Sequence, residues 1–385
     1  MSNRLQQLHD AGVAIWLDFI ERTMLHNGDL ERRIREDALT GMTSNPTIFE
    51  KALAEGGAYD AQLRAAAGDL SALQLFELVA TTDVRDACDR FRGVYDKTKG
   101  DDGYVSIEVS PGSAHDANAT YEEARRLWKT VDRPNVFVKI PGTVEGAEAV
   151  RRTIADGINV NITLLFALEA HDRVIGAYMS GLEDRVKKGQ PVDRIASVAS
   201  FFVSRVDSEI DKRLDAMSGK REAGQAGSGK GEAGSGKREA LKGKAAIANA
   251  KLAYQLFLER FSSPRWKALE AKGARVQKPL WASTSTKNPA YRDVMYVEQL
   301  IGPRCVNTLP PQTIVAFKDH GEVRRTLDKD VNEAKAQLQQ LEKLGISMKD
   351  VTEKLLVDGI ASFAKSFDSL LVGIAKKREL VGARS

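Results

Sequence analysis

The stretch NVFVKI, residues 135–140, is an apolar, β-branched run that contains one charge, Lys139, shortly before a Pro-Gly turn. Side chains alternate between the two faces of a strand, so Phe137 and Lys139 share one face and the branched residues share the other. Burial disfavours the charged form of an amine, and a neutral amine is a nucleophile that forms Schiff bases with carbonyl compounds. Taken alone, however, the stretch favours a structural lysine over a catalytic one.

Seven further stretches of strand character occur along the chain, and most are separated by stretches with helical periodicity, such as 116–131 and 145–156. Eight such repeats in 385 residues predict an α/β fold, a (β/α)₈ TIM barrel, with residues 1–385 in one domain. An open doubly wound sheet is the alternative, but the glycine-rich fingerprint that usually follows its first strand is absent. The seven stretches are residues 14–18, 40–45, 104–109, 159–166, 196–203, 279–284 and 305–310.

Two regions stand apart from this alternation. Residues 312–385 repeat apolar side chains at three- and four-residue spacing, which predicts C-terminal helices packed on the barrel. Residues 218–244 contain GKREA twice and AGSGK twice, with no aromatic residue, and predict a flexible, low-complexity surface insertion. The two near matches to a phosphate-binding P-loop in this insertion lack the Ser or Thr after the lysine and follow no strand.

Charge and composition restrict the class of partner. The formal net charge of +4 lies entirely in residues 218–244, since the rest of the chain has 50 basic and 50 acidic residues. A neutral body argues against a nucleic-acid surface, and no apolar run reaches the roughly 20 residues that span a bilayer. The first residues lack the apolar core of a signal peptide, and two cysteines suit a reducing compartment. We therefore expect a cytoplasmic protein with no membrane or nucleic-acid partner.

Polar side chains recur at inward-facing positions near the carboxyl ends of the predicted strands, where barrel enzymes collect their chemistry. Their outward neighbours are mostly branched or apolar. One such strand would be an ordinary amphipathic edge, but six or seven that converge on one cavity predict a functional site. The predicted inward-facing residues are Trp16, Asp18, Thr43, Asn45, Ser106, Glu108, Lys139, Asn159, Asn161, Thr163, Ser200, Phe202, Trp281, Ser283 and Ser285.

Several of these residues have a simpler explanation when each is taken singly. Asp18 fits a helix cap, Asn45 precedes Pro46 as in many turns, and Thr163 is an ordinary strand residue. The five histidines show no metal-ligand spacing, so no metal is predicted. The sequence contains no GxSxG elbow, so nothing in it indicates a serine hydrolase.

A lysine with two carboxylates and several amide and hydroxyl groups suits Schiff-base chemistry on a carbonyl substrate. The amine attacks the carbonyl, water leaves, and the resulting iminium withdraws electrons from a neighbouring carbon–carbon bond. Such a reaction needs one acid–base group for the dehydration and another for the hydroxyl that becomes an aldehyde. Asp18 and Glu108 are the candidates for these two roles.

At these residues the chain resembles the transaldolases of the long bacterial type, within the class I Schiff-base aldolases. The matching motifs occur in order along the predicted strands and cover nearly the whole chain, apart from residues 218–244 and the far terminus. Their order along the chain makes the resemblance more specific than any one motif would. They are WLDFIER, GMTSNPTIFEKAL, VSIEVSP, VFVKIPGT, GINVNITLLF, SVASFFVSRVD and WASTSTKNP.

The resemblance implies a cytosolic enzyme of the non-oxidative pentose phosphate pathway that uses no cofactor. It would act on sugar phosphates as a monomer or homodimer. It would transfer a dihydroxyacetone unit from sedoheptulose 7-phosphate to glyceraldehyde 3-phosphate. The products of that transfer are erythrose 4-phosphate and fructose 6-phosphate.

The same resemblance implies roles for individual residues. By motif match, Lys139 is the Schiff-base nucleophile, and Asp18 takes the proton of the C4 hydroxyl during cleavage. Glu108, through a water held by Thr163, serves carbinolamine dehydration. The residues implied to bind substrate are Thr43, Asn45, Asn161, Ser200 and Phe202 around the dihydroxyacetone unit, and Arg205 at the phosphate.

The chain departs from the family pattern after the seventh strand, where shorter members place a second phosphate-binding arginine. The stretch ASTSTKNP offers Ser283, Ser285 and Lys287 instead, and Lys287 is the expected replacement as a point charge. Two other functions stay open. One is a fructose-6-phosphate aldolase that releases free dihydroxyacetone, in which a tyrosine-centred water network typically replaces the carboxylate at Glu108. The other is a non-catalytic barrel that binds sugar phosphates.

Overall fold

A computed structural model of the protein describes residues 3–54, 57–66, 70–222, 236 and 238–382. Eight parallel strands form a closed barrel in which neighbours follow the chain order and the first strand pairs with the last. The predicted α/β fold, a (β/α)₈ TIM barrel, is therefore confirmed. The strands are β1 (Val13–Asp18), β2 (Leu39–Thr43), β3 (Val105–Glu108), β4 (Val136–Pro141), β5 (Val160–Leu165), β6 (Ser197–Phe202), β7 (Gln277–Ala282) and β8 (Cys305–Leu309).

Helices connect successive strands and surround the barrel. Most of them are amphipathic, with the apolar side buried against the strands or a neighbouring helix. The helices are α1 (Arg4–Asp10), α2 (Arg22–His26), α3 (Asp29–Glu36), α4 (Pro46–Ala54), α5 (Asp60–Ala65), α6 (Ala72–Lys97), α7 (Ala117–Val131), α8 (Val144–Ala155), α9 (Leu168–Lys187), α10 (Ser204–Glu222), α11 (Ala245–Arg260), α12 (Pro264–Glu270), α13 (Met295–Gln299), α14 (Pro311–His320), α15 (Val331–Lys343) and α16 (Met348–Gly382), with a 3₁₀ turn at Pro111–Ser113.

The amino-terminal half of the barrel interior is filled by aromatic rings. The ring of Phe137 stacks on Tyr104 with centroids 4.2 Å apart and lies 5.8 Å from the ring of Trp16. The indole Nε1 of Trp16 donates to Asp102 Oδ1 at 2.9 Å. Gly41 faces this indole, and a Cβ at that position would lie 2.5 Å from Nε1. These contacts fill the interior of the barrel below the cavity that opens at the carboxyl ends of the strands.

The turn after β4 is shaped by close backbone contacts. Pro141 is the last residue of the strand, and the next amide, of Gly142, donates to Thr163 O at 2.7 Å. A Cβ on Gly142 would lie 2.4 Å from Leu165 Cδ2, so only glycine fits here without displacing a neighbour. Thr143 then caps α8 by accepting from a backbone amide in its first turn. The chain therefore leaves β4 in one defined direction.

One predicted orientation is wrong. Trp281 does not face the cavity, because its ring contacts Phe201 edge-on at 6.4 Å, on the side of the sheet that faces the helices. Leu280 and Ala282 line the cavity in its place. The alternation fails at Ser283, which has a left-handed φ of 57° and therefore reaches the cavity although it follows Ala282 directly.

The long C-terminal helix α16 packs on α4 beside the carboxyl end of the barrel. Thr47 Oγ1 donates to Ser366 Oγ at 2.9 Å, and Lys377 Nζ donates to Leu53 O at 2.7 Å. These bonds fix α16 over the helix that follows β2. Although α16 has 35 residues, neither it nor another helix in the described ranges is apolar enough to cross a membrane.

Most of the predicted low-complexity insertion, residues 223–235 and 237, lies outside the described residues. The two ends of the predicted segment belong to the surrounding structure. Its first residues continue α10, and near its end Leu241 is buried. Lys242 pairs with Asp215 of α10 at 2.7 Å. The end of the segment is thus attached to the helix that precedes it.

Candidate active site

A cavity of about 490 Å³ opens at the carboxyl ends of the strands. This is the end of the barrel that the polar pattern of the sequence indicated. Eleven of the twelve site residues proposed from the sequence line it, and the twelfth, Glu108, contacts one of them. The eleven are Asp18, Thr43, Asn45, Lys139, Asn161, Thr163, Ser200, Phe202, Arg205, Ser283 and Lys287.

Lys139 lies deep in the cavity and is only 6% exposed. Adjacent strands place it beside Glu108, and its Nζ lies 3.0 Å from Glu108 Oε2. The same Nζ donates to the backbone oxygen of Ser44 at 3.2 Å. Burial raises the pKa of Glu108, the amine of Lys139 opposes this, and the carboxylate of Asp18 adds to it. The net effect is a raised pKa, which favours retention of a proton on the Glu108 carboxyl.

Asp18 ends β1 on another part of the cavity wall. Its Oδ1 accepts from Thr43 Oγ1 at 2.9 Å, and the two residues are register partners of β1 and β2. The next helix, α2, has Glu21 as its N-cap residue, so Asp18 is not a helix cap. Its carboxylate is thus oriented by a hydroxyl on the neighbouring strand and faces the cavity.

Asn161 connects three strands through its side-chain amide. It donates through Nδ2 to Ser106 Oγ at 3.0 Å and accepts through Oδ1 from Ser200 Oγ at 2.6 Å. Its register partner on β4 is Lys139. The nearby Thr163 Oγ1 is buried and has no hydrogen-bond partner among the residues that the structure describes. The amide is therefore held in one orientation next to the amine, whereas the Thr163 hydroxyl is free for another group.

Two cations line the other end of the cavity. The guanidinium of Arg205 lies over the rings of Phe202 and Phe363, 5.2 Å and 6.0 Å from their centroids. Lys287 Nζ donates to Ser285 Oγ at 2.8 Å. Among the described residues, neither cation forms an ion pair with a carboxylate. Burial lowers the pKa of Arg205, and burial together with Arg205 lowers the pKa of Lys287.

Two of the proposed residues also have local structural roles. Asn45 Oδ1 accepts from the backbone amide of Ile48 at 3.0 Å, as expected of the turn that the Asn-Pro sequence indicated. Ser283 shares a 2.9 Å hydrogen bond with Ser204, the first residue of α10. This second bond joins the loop after β7 to the helix that carries Arg205.

The sequence reasoning missed several residues that line the cavity. Thr308 follows from the alternation of β8, to which no site residue was assigned. Phe363 carries no local signal, because it reaches the cavity through the packing of α16. The missed lining residues are Phe19, Thr47, Ile48, Lys51, Leu280, Ala282, Thr308, Pro310, Pro311, Gln312 and Phe363.

The arrangement offers a nucleophilic amine, two carboxyl groups in different surroundings and, in Arg205 and Lys287, two cations that form no ion pair with a carboxylate among the described residues. In the described part of the chain, no group of three or more His, Cys, Asp or Glu side chains could hold a metal ion. The buried amine beside a protonatable carboxyl suits attack on a carbonyl followed by loss of water. The cations suit an anionic group at the far end of the same substrate.

Comparisons with known proteins agree with this geometry. The model of the family described as Transaldolase/Fructose-6-phosphate aldolase matches residues 15–374. The chain is 46% identical over 383 residues to a protein of Frankia alni named Transaldolase, with 98% of each chain covered. It is 47% identical over 380 residues to a Transaldolase of Trichodesmium erythraeum, again with 98% of each covered, and 45% identical over 373 residues to Transaldolase 2 of Streptomyces coelicolor, with 96% of each covered. The chain therefore belongs to the transaldolase/fructose-6-phosphate aldolase family.

Proposed function

We propose that this enzyme of the transaldolase type uses Lys139 as its Schiff-base nucleophile. It transfers a dihydroxyacetone unit from sedoheptulose 7-phosphate to glyceraldehyde 3-phosphate, which yields erythrose 4-phosphate and fructose 6-phosphate. The observation that carries the assignment of the nucleophile is the 3.0 Å contact between the buried Nζ of Lys139 and Glu108. Because the amine itself supplies the electron sink, the reaction needs no cofactor.

The first step joins the amine to the substrate. The Lys139 nitrogen attacks the C2 carbonyl, and the carbonyl oxygen takes up a proton, which gives a carbinolamine. Loss of that hydroxyl as water forms the iminium and requires an acid. Glu108 is suited to this role, since its carboxyl lies 3.0 Å from the nitrogen and burial raises its pKa, which favours the protonated form. The unpartnered hydroxyl of Thr163 is suited to hold the water that passes the proton between Glu108 and the substrate.

The second step breaks the C3–C4 bond. Asp18 accepts the proton of the C4 hydroxyl, the oxygen forms the aldehyde, and the electron pair of the broken bond moves into the iminium as an enamine. The first aldose phosphate then leaves. Attack of the enamine carbon on the aldehyde of the acceptor reverses these steps, and Asp18 returns its proton to the new hydroxyl. Hydrolysis of the iminium releases the new ketose phosphate.

The three-carbon fragment must stay bound while one aldose replaces another. Asn161 is held by hydrogen bonds on both sides of its amide, which keeps its remaining donor and acceptor sites in fixed positions. We assign Asn45 and Asn161 to the hydroxyls of the fragment, with Thr43, Ser200 and Phe202 as the surrounding wall. Such fixed polar contacts retain the enamine for transfer.

The phosphate of either substrate fits the end of the cavity that holds Arg205 and Lys287. A guanidinium matches phosphate oxygens in a bidentate manner, and an ammonium adds a point charge. Ser283 lies in the same wall and is joined to the first residue of α10. We propose these three residues as the phosphate site.

A fructose-6-phosphate aldolase of the same family would release the fragment instead of transferring it. Glu108 beside the amine favours transfer, because the aldolases typically use a tyrosine there. No tyrosine lines the cavity among the described residues. The relatives described above are all named as transaldolases.

The test has two measurements. Borohydride reduction in the presence of fructose 6-phosphate, followed by peptide mass mapping, is expected to place a stable adduct on Lys139. An adduct on another lysine would overturn the assignment of the nucleophile. Transfer from fructose 6-phosphate to erythrose 4-phosphate is expected to exceed release of free dihydroxyacetone, and dominant release would identify an aldolase.

We further propose that the enzyme works in the cytoplasm as a monomer or homodimer, with no nucleic-acid or membrane partner. Both cysteines, Cys88 and Cys305, are buried and unpaired, as suits a reducing compartment. Fractionation of the native cells and size-exclusion chromatography with light scattering test these two points.

A further inference from the structure

Helix α16 places one side of its surface against Arg205. Phe363 lines the cavity and is 7% exposed, and its ring centroid lies 6.0 Å from the guanidinium carbon. One turn earlier, at Gly359, an added Cβ would lie 3.7 Å from Arg205 Nη1 and 3.0 Å from Leu164 Cδ2. Two residues four apart on one helix thus face the same guanidinium.

The rings hold the Arg205 guanidinium without neutralising it. A cation over an aromatic ring is attracted by the ring quadrupole, which has no net charge and accepts no strong hydrogen bond. A carboxylate partner would fix the guanidinium equally well, but it would compete with a phosphate for the same N–H donors. Among the described residues, Arg205 has no such partner. The N–H donors of the guanidinium are therefore available to a ligand in the cavity.

We propose that Phe363 of the C-terminal helix is a positioning residue for phosphate recognition. Together with Phe202, it holds the Arg205 guanidinium directed into the cavity. This inference rests on the proposed function, since it takes the phosphate of the sugar substrate as the ligand of Arg205. The inference adds Phe363, which lies outside the strands and the loops next to them, to the residues that serve the proposed phosphate site.

The rest of α16 offers a matched control. Phe367, one turn further along, packs edge-on against Phe76 with centroids 5.5 Å apart and does not line the cavity. Thr47 and Ser366 attach the same part of the helix to α4. A substitution at Phe367 thus perturbs the packing of α16 without removing a ring from Arg205.

The experiment compares Phe363→Leu, Phe363→Met, Phe363→Tyr and Phe367→Leu by steady-state kinetics and by borohydride trapping. Loss of one cation–π contact is expected to raise KM for fructose 6-phosphate about tenfold in Phe363→Leu and Phe363→Met, with kcat nearly unchanged. Competitive inhibition by inorganic phosphate should weaken by a similar factor. Phe363→Tyr keeps the ring, so its KM and its inhibition by inorganic phosphate should match those of the wild type.

Trapping with free dihydroxyacetone separates this inference from the proposed function. That compound has no phosphate, so its adduct on Lys139 is expected to form equally in the wild type and in all four variants. An unchanged KM in both Phe363→Leu and Phe363→Met, or an equal rise in Phe367→Leu, would overturn the role of Phe363. Absence of the Lys139 adduct in the wild type would instead overturn the proposed function.

Discussion

The two ends of the cavity are built in different ways. At the amine end, Glu108, Lys139 and Asn161 lie on three adjacent strands and are register partners. The Nζ of the amine lies 3.0 Å from the Glu108 carboxyl there. At the other end, the proposed phosphate end, Arg205 lies in the first turn of a helix and Lys287 lies in a loop, and neither is paired with a carboxylate among the described residues.

The difference suits the roles that we propose for the two ends. Covalent chemistry needs fixed distances between a nucleophile and its acid–base partners, and hydrogen-bonded strands provide them. Anion binding needs charge that is not already neutralised, so the cations at the other end are held by aromatic rings and a hydroxyl. Substitutions at the amine end should therefore act on the reaction rate, and those at the phosphate end on KM.

The largest effect is expected for Lys139→Met. Removal of the amine removes the covalent step, so transfer should fall by a factor of at least about 10⁴. Stopped assays with fructose 6-phosphate and erythrose 4-phosphate measure the loss, and borohydride trapping should give no adduct. Lys129→Met, at an exposed lysine of α7, is the control. Residual trapping in Lys139→Met would show that a second amine reacts.

We expect substitutions of the two carboxyl groups to slow different steps of the reaction. Asp18→Asn is expected to slow cleavage by about 10²–10⁴-fold while the Schiff base with dihydroxyacetone still forms. Glu108→Gln is expected to slow formation of that Schiff base itself, since it removes the acid beside the amine. Rapid-quench trapping measures the two steps apart. If both variants slow trapping equally, the division of roles between the carboxyl groups is wrong.

A smaller effect, and on a different parameter, is expected for Arg205→Ala. Loss of charge-assisted hydrogen bonds to the phosphate should raise KM for fructose 6-phosphate by about 10- to 100-fold. Trapping with free dihydroxyacetone should stay at the wild-type level, because that compound lacks a phosphate. If dihydroxyacetone trapping fell by a similar factor, the two ends of the cavity would not act independently.

The smallest effect is a pH dependence at the phosphate end. Burial and the neighbouring Arg205 lower the pKa of Lys287, so its ammonium loses the proton at a lower pH than an ordinary lysine does. The positive charge is present below that pKa and is lost as pH rises through it. KM for fructose 6-phosphate should therefore rise by about threefold as pH increases through the pKa of Lys287. Lys287→Arg, which stays charged, should abolish the rise.

Strand alternation accounts for the residues at the amine end but not for those at the other end, and the reason is physical. Alternation along a strand fixes which side chains share a face, so the placement of Lys139 and Asp18 follows from a few consecutive residues. The same rule gave the wrong face for Trp281, because the backbone of Ser283 is left-handed and breaks the alternation. No rule of local spacing applies to a loop in this conformation.

The contribution of α16 could not be derived from its own sequence. Its apolar spacing indicates only that one side is buried, and it does not say against which part of the barrel. Phe363 reaches Arg205 across more than 150 residues of chain, through contacts with α4 that local pattern does not encode. Asn45 shows the opposite case, since its turn role and its place in the cavity wall are both consistent with the same short motif.

The aromatic rings of Trp16, Tyr104 and Phe137 that fill the lower barrel make the cavity a dead end. Donor, first product, acceptor and second product share the cavity at the carboxyl ends of the strands. The first aldose has to depart before the second can enter, so the covalent enamine is an obligatory resting point between two half-reactions. Double-reciprocal plots at several acceptor concentrations should therefore be parallel lines, the pattern of a ping-pong exchange.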